Sequence, residues 1–226
     1  MTELVYTAST WILPVLIAIT LHEAAHGYVA WKLGDDTAKR LGRVTFNPLR
    51  HVDPWGTIVV PGLLLSLSNF VFGWAKPVPV DFSRLESPRR DMVWVAAAGP
   101  AVNIALATVS AALLHIVPLL PDAVQLWVLE NLQHSILINL VLAVFNLLPL
   151  PPLDGGRIAV GLLPLGLARP LARMERFGLF VIIGVLFILP YVGREIGVDL
   201  NVFPWLVGTP VRFLMDVIAG FTGLAP

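Results

Sequence analysis

LVYTASTWILPVLIAITL, residues 4–21, contains no charged side chain and is followed directly by HEAAH, residues 22–26. A run of about 18 apolar residues is long enough to cross the hydrocarbon of a bilayer as a helix. The rest of the chain has the same character: 57% of its residues are hydrophobic, 13% are charged, and its mean hydropathy is +0.80. Soluble domains carry about a quarter of charged residues. The sequence therefore predicts an integral membrane protein.

Further apolar segments along the chain predict an all-α membrane protein. We expect a polytopic bundle of transmembrane helices with about 5–6 membrane segments. The bundle is expected to form a single domain over residues 1–226. Long helices are predicted over Leu4–Trp31, Asp91–Val117 and Asp122–Leu148, and a shorter apolar segment over Phe177–Pro190.

Basic residues cluster in three loops and predict how the helices are oriented. One loop follows the first helix, one precedes the helix over 91–117, and one follows the helix over 122–148. Their cations are Lys32, Lys39, Arg40, Arg43 and Arg50; Lys76, Arg84, Arg89 and Arg90; and Arg157, Arg169, Arg173 and Arg176. Basic loops lie on the cytosolic side of a membrane. The apolar segment Gly56–Gly73 would then have both ends in the cytosol, so we expect it to be re-entrant or to lie along the membrane.

His22-Glu23-Ala24-Ala25-His26 is the strongest local sign of chemistry. Two histidines four residues apart on a helix lie on one face, one turn apart, and can bind the same zinc ion. Glu23 lies beside them, placed to take a proton from a water at the metal. Ionisable groups inside an apolar membrane helix cost at least a few kcal/mol each and mark functional sites. The pattern therefore predicts His22 and His26 as metal ligands and Glu23 as a catalytic base.

Asp154 is the candidate for a further ligand. A catalytic zinc site uses three protein ligands and a water, and the absence of cysteine excludes a thiolate. Asp154 directly follows a membrane helix, where prolines end the helix and Gly155-Gly156 allow a tight turn. The acids Glu3, Asp35, Asp36 and Glu86 lie instead in or beside tails and loops.

Four stretches resemble the site-2 protease family of intramembrane zinc metalloproteases. HEAAHG at residues 22–27 is similar to the family's zinc motif, and NLLPLPPLDG at residues 146–155 is similar to its second motif. GPAVN at residues 99–103 resembles the Gly-Pro-x-x-Asn of a middle helix in many members. FGWAKPVPV at residues 72–80 resembles a stretch typical of the compact bacterial members, which have no PDZ or CBS domain. The resemblance covers residues 21–157 in the family's order.

The resemblance implies roles for five residues. Asp154 would join His22 and His26 in binding one Zn²⁺ per chain, Glu23 would be the catalytic base, and Asn146 would position the substrate.

The resemblance also implies that the metal-site core lies over residues 4–157, with further helices over residues 158–226. The polar stretch after the first helix would form a small extended or β element that holds the substrate. Asn103 is interpreted as bracing the packing of helices.

The predicted function is hydrolysis of peptide bonds in membrane-spanning proteins, by a zinc-activated water with Glu23 as general base. The expected partners are a transmembrane protein substrate and the lipid bilayer, in the inner membrane of a bacterial cell. The net charge of zero gives no sign of nucleic-acid binding. Two alternatives stay open: a membrane metal transporter that uses the same histidines, and an inactive scaffold of protease descent. The sequence does not indicate an oligomeric state.

Overall fold

The fold begins with one long helix that carries the two histidines. The computed structural model describes residues 2–60, 63, 73 and 76–224. Helix α1 spans Thr2–Lys32. Glu3 in its first turn and Lys32 in its last turn have the charges that favour the two ends of a helix dipole.

The polar stretch after α1 forms turns and short helices. A single-turn helix, α2, spans Thr37–Arg40, and short helical turns follow over Pro48–Arg50 and Pro54–Val59. The part of the chain that the structure describes contains no strand, so the β element predicted here is not found. The physical reason is local: the side chains of Asn47 and Asp53 accept hydrogen bonds from the backbone N–H groups of Leu49 and Gly56. Such bonds favour turns over a strand ladder.

Two further long helices follow. Helix α3 spans Pro88–Leu113 and continues into a 3₁₀ turn over Leu114–Leu119; helix α4 spans Asp122–Asn146. At the start of α3, the Asp91 carboxylate accepts a hydrogen bond of 2.7 Å from the backbone N–H of Ser87. This bond satisfies one of the free donors at the helix start.

The remaining helices are shorter. Their bounds are α5, Asp154–Leu162; α6, Leu165–Arg173; α7, Glu175–Ile183; α8, Leu189–Glu195; and α9, Thr209–Thr222. A π-helical turn over Gly184–Ile188 joins α7 to α8 without a break.

Four helical stretches among the described residues are long and apolar enough to cross a membrane. They are Val5–Lys32, Pro88–Leu119, Asp122–Asn146 and Glu175–Glu195. The polytopic helical bundle predicted from the sequence is thereby confirmed. Most of Gly56–Gly73, predicted as a re-entrant segment, lies outside the described residues.

Helices α1 and α4 run in the same direction. In the N-terminal part of α1, Ser9 Oγ accepts from the indole N–H of Trp127, near the start of α4, at 2.9 Å. The carbonyl oxygen of Thr10 lies 2.9 Å from the ring of His134, in the middle of α4. At the opposite end, the histidines of α1 meet Asp154, which follows α4.

Helix α3 lies between them in the opposite direction. Asn103, in the middle of α3, donates to the Ala18 carbonyl oxygen of α1 at 3.3 Å, while Val95, near the start of α3, contacts His26. One return crossing therefore brings the C-terminal ends of α1 and α4 to the same side of the bundle, where His22 and His26 meet Asp154.

The apolar core is built mainly by α3, α4 and α9. It consists of Ala107, Ala111, Ile136, Leu140, Val144, Val207, Val211 and Ile218. The small alanines of α3 let the helices approach closely, which is the usual packing mode where lipid gives no hydrophobic drive between helices.

Candidate metal centre

Three ligand atoms meet where α1 and α5 come together. His22 Nε2 and His26 Nε2 lie 3.2 and 3.4 Å from Asp154 Oδ2, and 3.0 Å from each other. The three side chains are 8–12% exposed. Within the described part of the chain, these residues form a group that could hold a metal ion. The structure thus brings together the three residues that the sequence predicts as ligands.

Two glycines make the turn that delivers Asp154. A Cβ atom on Gly155 would lie 2.1 Å from the Leu147 carbonyl oxygen, and one on Gly156 would lie 2.2 Å from the Pro151 nitrogen. Neither distance is possible for a side chain, so any other residue would push the chain away from the end of α4. Asp154 is therefore held at the first position of α5 by two residues without side chains.

The other ring nitrogen of each histidine is engaged by α3. His22 Nδ1 lies 2.5 Å from Asn103 Oδ1, and His26 Nδ1 lies 2.7 Å from the Val95 carbonyl oxygen. Both partners are acceptors, so both Nδ1 atoms donate and both Nε2 atoms keep their lone pairs. This second contact fixes the tautomer and the orientation of a metal-binding histidine.

The donor set fits a zinc ion. Two imidazole lone pairs and the Asp154 carboxylate converge, and Asp154 Oδ2 is buried without a hydrogen-bond partner among the described residues. Three acceptors facing one another in a buried site repel unless a cation joins them. Two nitrogens and one oxygen are ligands that a catalytic zinc site uses, with a fourth position left for water.

Gly99 of α3 forms the wall of the centre. A Cβ atom at this position would lie 2.5 Å from both His22 Cε1 and His26 Nε2. The helix can approach the two imidazoles only because residue 99 has no side chain.

Glu23 is bound to a different part of the chain. Its Oε2 atom accepts a hydrogen bond of 2.7 Å from the backbone N–H of Val78, which is 8% exposed. Val78 lies in the non-helical stretch Lys76–Asp81, which we call the 76–81 segment.

The 76–81 segment is held at both ends by buried side chains and backbone. Lys76 N–H donates to the His51 carbonyl oxygen at 2.9 Å, and the Arg43 guanidinium donates to the Lys76 carbonyl oxygen at 2.6 Å. At the other end, Asp81 N–H donates to the Asp35 carboxylate at 2.7 Å. These bonds fix the position of Val78, and with it the carboxylate of Glu23.

Asn146, predicted to position the substrate, lies in the last turn of α4. Its side-chain amide donates to the Leu142 carbonyl oxygen of the same helix at 2.9 Å and is partly buried. This bond leaves the side-chain carbonyl oxygen of Asn146 for another donor. Its role toward a substrate stays a prediction.

Sequence reasoning missed three participants: the Val78 backbone N–H, Gly99 and the contact of Asn103 with His22. Gly99 and Asn103 are four residues apart, so they share one face of α3. This spacing could have been used for prediction. A glycine and an asparagine on one face of α3 match the two histidines on one face of α1, which suggests that the two faces pack against each other.

Comparisons with known proteins give a consistent result. The model of peptidase family M50 matches residues 114–189. The Bacillus subtilis protein named "Putative zinc metalloprotease YwhC" is 41% identical over 187 residues, which is 79% of this chain and 80% of the relative. Rip2 of Mycobacterium tuberculosis (strain H37Rv), with the same description, is 32% identical over 77% of this chain and 65% of its own length. No solved structure gives a significant match.

The relationship to YwhC extends over most of both chains, well beyond the segment that the family model matches. The described residues also provide apolar helices and a buried group of nitrogen and oxygen atoms that could hold a metal ion, as a membrane metallopeptidase needs. The chain belongs to peptidase family M50, the site-2 protease family of membrane-embedded zinc metalloproteases.

Proposed function

We propose that this protein is an intramembrane zinc metalloprotease that hydrolyses peptide bonds of membrane-spanning proteins in the bacterial inner membrane. His22, His26 and Asp154 are the zinc ligands, and Glu23 is the general base. The observation that carries this proposal is the convergence of three acceptor atoms, within 3.4 Å of one another, on a buried site between apolar helices.

Zinc bound at this centre supplies a more acidic water and polarises the carbonyl of the scissile peptide bond. Glu23, next to His22 in α1, takes the proton of the attacking water and passes it to the leaving amine. A positioned base of this kind contributes about 10²–10⁴-fold to a rate. The tautomers of His22 and His26 hold both Nε2 lone pairs on the side of the centre that faces Asp154.

The bond from Val78 gives Glu23 a defined orientation. The bond engages Oε2, and a charge-assisted hydrogen bond of this kind is roughly twice as strong as a neutral one. Oε1 is left to accept the proton. Val78 therefore positions the base without contacting the reacting atoms.

A membrane-spanning substrate must unwind locally before cleavage, since a peptide carbonyl inside a helix is already hydrogen-bonded and sterically covered. Asn146 lies at the end of α4, eight positions before Asp154, and its free carbonyl oxygen can accept a backbone N–H of the unwound substrate. The 76–81 segment lies beside Glu23, so an unwound substrate that reaches the base would pass next to it.

One substitution separates this function from its alternatives. Glu23→Gln keeps the shape of the side chain and removes the base. In cells that co-express a tagged single-pass membrane protein cut by the wild type, the variant should leave it uncut. Elemental analysis of the purified variant should still find zinc.

The other outcomes point elsewhere. A metal transporter would keep transport in the Glu23→Gln variant, and an inactive scaffold would leave every membrane protein uncut in the wild type as well. Cleavage by the variant at the wild-type rate would remove Glu23 from the mechanism.

A further inference from the structure

A series of buried amide hydrogen bonds leads from the metal centre into the middle of the bundle. Asn103 Oδ1 contacts His22 Nδ1 at 2.5 Å, and Asn103 Nδ2 donates to Asn139 Oδ1 at 2.7 Å. Asn139 Nδ2 in turn donates to the Ser135 carbonyl oxygen at 2.8 Å. Asn103 and Asn139 are both 0% exposed, so no water competes for these bonds.

Backbone carbonyls fix the direction of every bond in this series. The Ser135 carbonyl can only accept, so the NH₂ group of Asn139 faces it and Oδ1 of Asn139 faces Asn103. That oxygen can also only accept, so Asn103 presents its NH₂ group there, and the same group lies 3.3 Å from the Ala18 carbonyl oxygen. Asn103 is left with an oxygen toward His22, and His22 has to donate from Nδ1.

The two histidines differ in how their tautomers are set. His26 donates directly to the Val95 carbonyl oxygen, which no substitution removes. His22 depends on the side chain of Asn103. The orientation of that side chain is held by the 2.7 Å bond to Asn139 Oδ1 and, over a longer distance of 3.3 Å, by the Ala18 carbonyl oxygen. A flipped Asn103 amide would offer a donor to Nδ1, favour the tautomer with hydrogen on Nε2, and place that hydrogen where the metal binds.

We propose that Asn139 of α4 is a positioning residue that acts through Asn103 to hold His22 in the tautomer that binds zinc. The proposal rests on the zinc-ligand role proposed above for His22. Asn139 touches neither the centre nor its ligands; it orients the amide that orients the imidazole.

Zinc affinity in a double-mutant cycle tests this. Loss of the residue that hydrogen-bonds the other ring nitrogen of a metal-binding histidine weakens metal binding about 10- to 100-fold. We expect a loss in this range for Asn103→Leu and a loss of about tenfold for Asn139→Leu, measured on detergent-purified protein by competition with a chelating indicator. In the Asn103→Leu background, Asn139→Leu should cost no further affinity, because its effect passes through Asn103.

Two further variants separate positioning from packing. Trp127→Phe removes the 2.9 Å bond from the Trp127 indole N–H to Ser9 Oγ, which joins α1 to α4 outside this series, and should leave zinc affinity unchanged. Asn139→Asp should keep wild-type zinc affinity, because a buried carboxyl group takes up a proton. The protonated group can donate to the Ser135 carbonyl oxygen and accept from Asn103, as the amide of Asn139 does.

The tautomer itself can be read from the ring-nitrogen resonances of metal-free, ¹⁵N-histidine-labelled protein at alkaline pH. The resonances of His22 are assigned as those that disappear from the spectrum of His22→Gln. Wild type should carry hydrogen on Nδ1 of His22, and Asn139→Leu should give a mixture. Equal losses of zinc affinity for Asn139→Leu with and without Asn103, or an unchanged His22 tautomer, would overturn the proposal. If the wild type binds no zinc, the proposed function fails, whereas the nitrogen spectrum still decides whether Asn139 sets the tautomer.

Discussion

The carboxylate of Glu23 and the backbone N–H of Val78 are joined by a hydrogen bond of 2.7 Å across 55 residues of sequence. Helix α1 supplies the proposed base, and a non-helical segment supplies the donor that orients it. The 76–81 segment is therefore part of the proposed catalytic arrangement, although none of its side chains belongs to the candidate metal centre.

Removing that donor should slow cleavage and leave the metal in place. Val78→Pro deletes the N–H group that reaches Glu23, and we expect cleavage to fall by about tenfold, the effect of one hydrogen bond to a charged group. Val78→Ala is the matched control, because it shortens the same side chain and keeps the N–H group. Substrate cleavage and zinc content should be measured on both variants. Equal activity of the two would show that the hydrogen bond does not matter.

Gly99→Ala should disturb the centre directly. The added methyl group would lie 2.5 Å from atoms of both His22 and His26, so the imidazoles or α3 must shift. Overpacking of this kind costs about 1–3 kcal/mol, and we expect zinc affinity to fall by about tenfold or more. Ala101→Leu adds a larger group to an exposed position of the same helix and should bind zinc normally. Wild-type affinity in Gly99→Ala would mean that α3 does not form the wall of the site.

Asp35 should contribute to stability at neutral pH. Burial raises the pKa of its carboxyl group, but hydrogen bonds from the Thr37 side chain and from the N–H groups of Thr37 and Asp81 lower it more, to a net value below the ordinary range. A group with a lowered pKa in the folded state stabilises the protein above its unfolded pKa, about 3.9, and loses that contribution as the pH falls through the folded value.

Asp35→Asn should therefore lower the thermal unfolding temperature of the metal-free protein by several degrees at pH 7, corresponding to about 1–3 kcal/mol for unsatisfied buried donors. The difference from wild type should shrink only below about pH 4. Asp36→Asn is the control: Asp36 pairs with exposed cations, and such pairs contribute about 0–1 kcal/mol. A difference that is constant down to acid pH would contradict the role of the ionised carboxylate.

Gly178 of α7 should matter for the position of Asp154. A Cβ atom there would lie 1.8 Å from the Pro151 carbonyl oxygen and 2.4 Å from Pro152, in the turn that leads to Asp154. Gly178→Ala should displace this turn, lower zinc affinity and reduce cleavage by about tenfold or more, since overpacking costs about 1–3 kcal/mol. Gly184→Ala, in the turn that continues α7, meets nothing within 4 Å and should be neutral. Indistinguishable zinc binding by the two variants would separate α7 from the metal site.

The parts of the site that the sequence predicts are those with local causes. The four-residue spacing of His22 and His26 and the glycines after Asp154 are visible in short stretches of sequence. The contacts from Val78 to Glu23 and from Asn103 to His22 join residues 55 and 81 positions apart. These contacts depend on how the helices pack. No local sequence pattern specifies which backbone N–H will contact Glu23 or which side-chain amide will contact His22.

The fold divides in the same way. Uncharged runs of sufficient length predict the membrane helices. Hydrocarbon offers no hydrogen-bond partners, and a single apolar segment can satisfy its own backbone N–H and C=O groups only as a helix. The extended or β element expected after α1 does not appear as a strand among the described residues, for a local reason that the sequence does contain. Asn47 precedes Pro48 and Asp53 precedes Pro54, and these pairs favour turns that begin short helices.

The zinc content of purified protein tests the central claim most directly. Elemental analysis should find one zinc per chain in the wild type and in Glu23→Gln, and almost none in Asp154→Ala, because two histidines alone leave a catalytic zinc site one protein ligand short. Full zinc occupancy in Asp154→Ala would remove Asp154 from the ligand set and contradict the account.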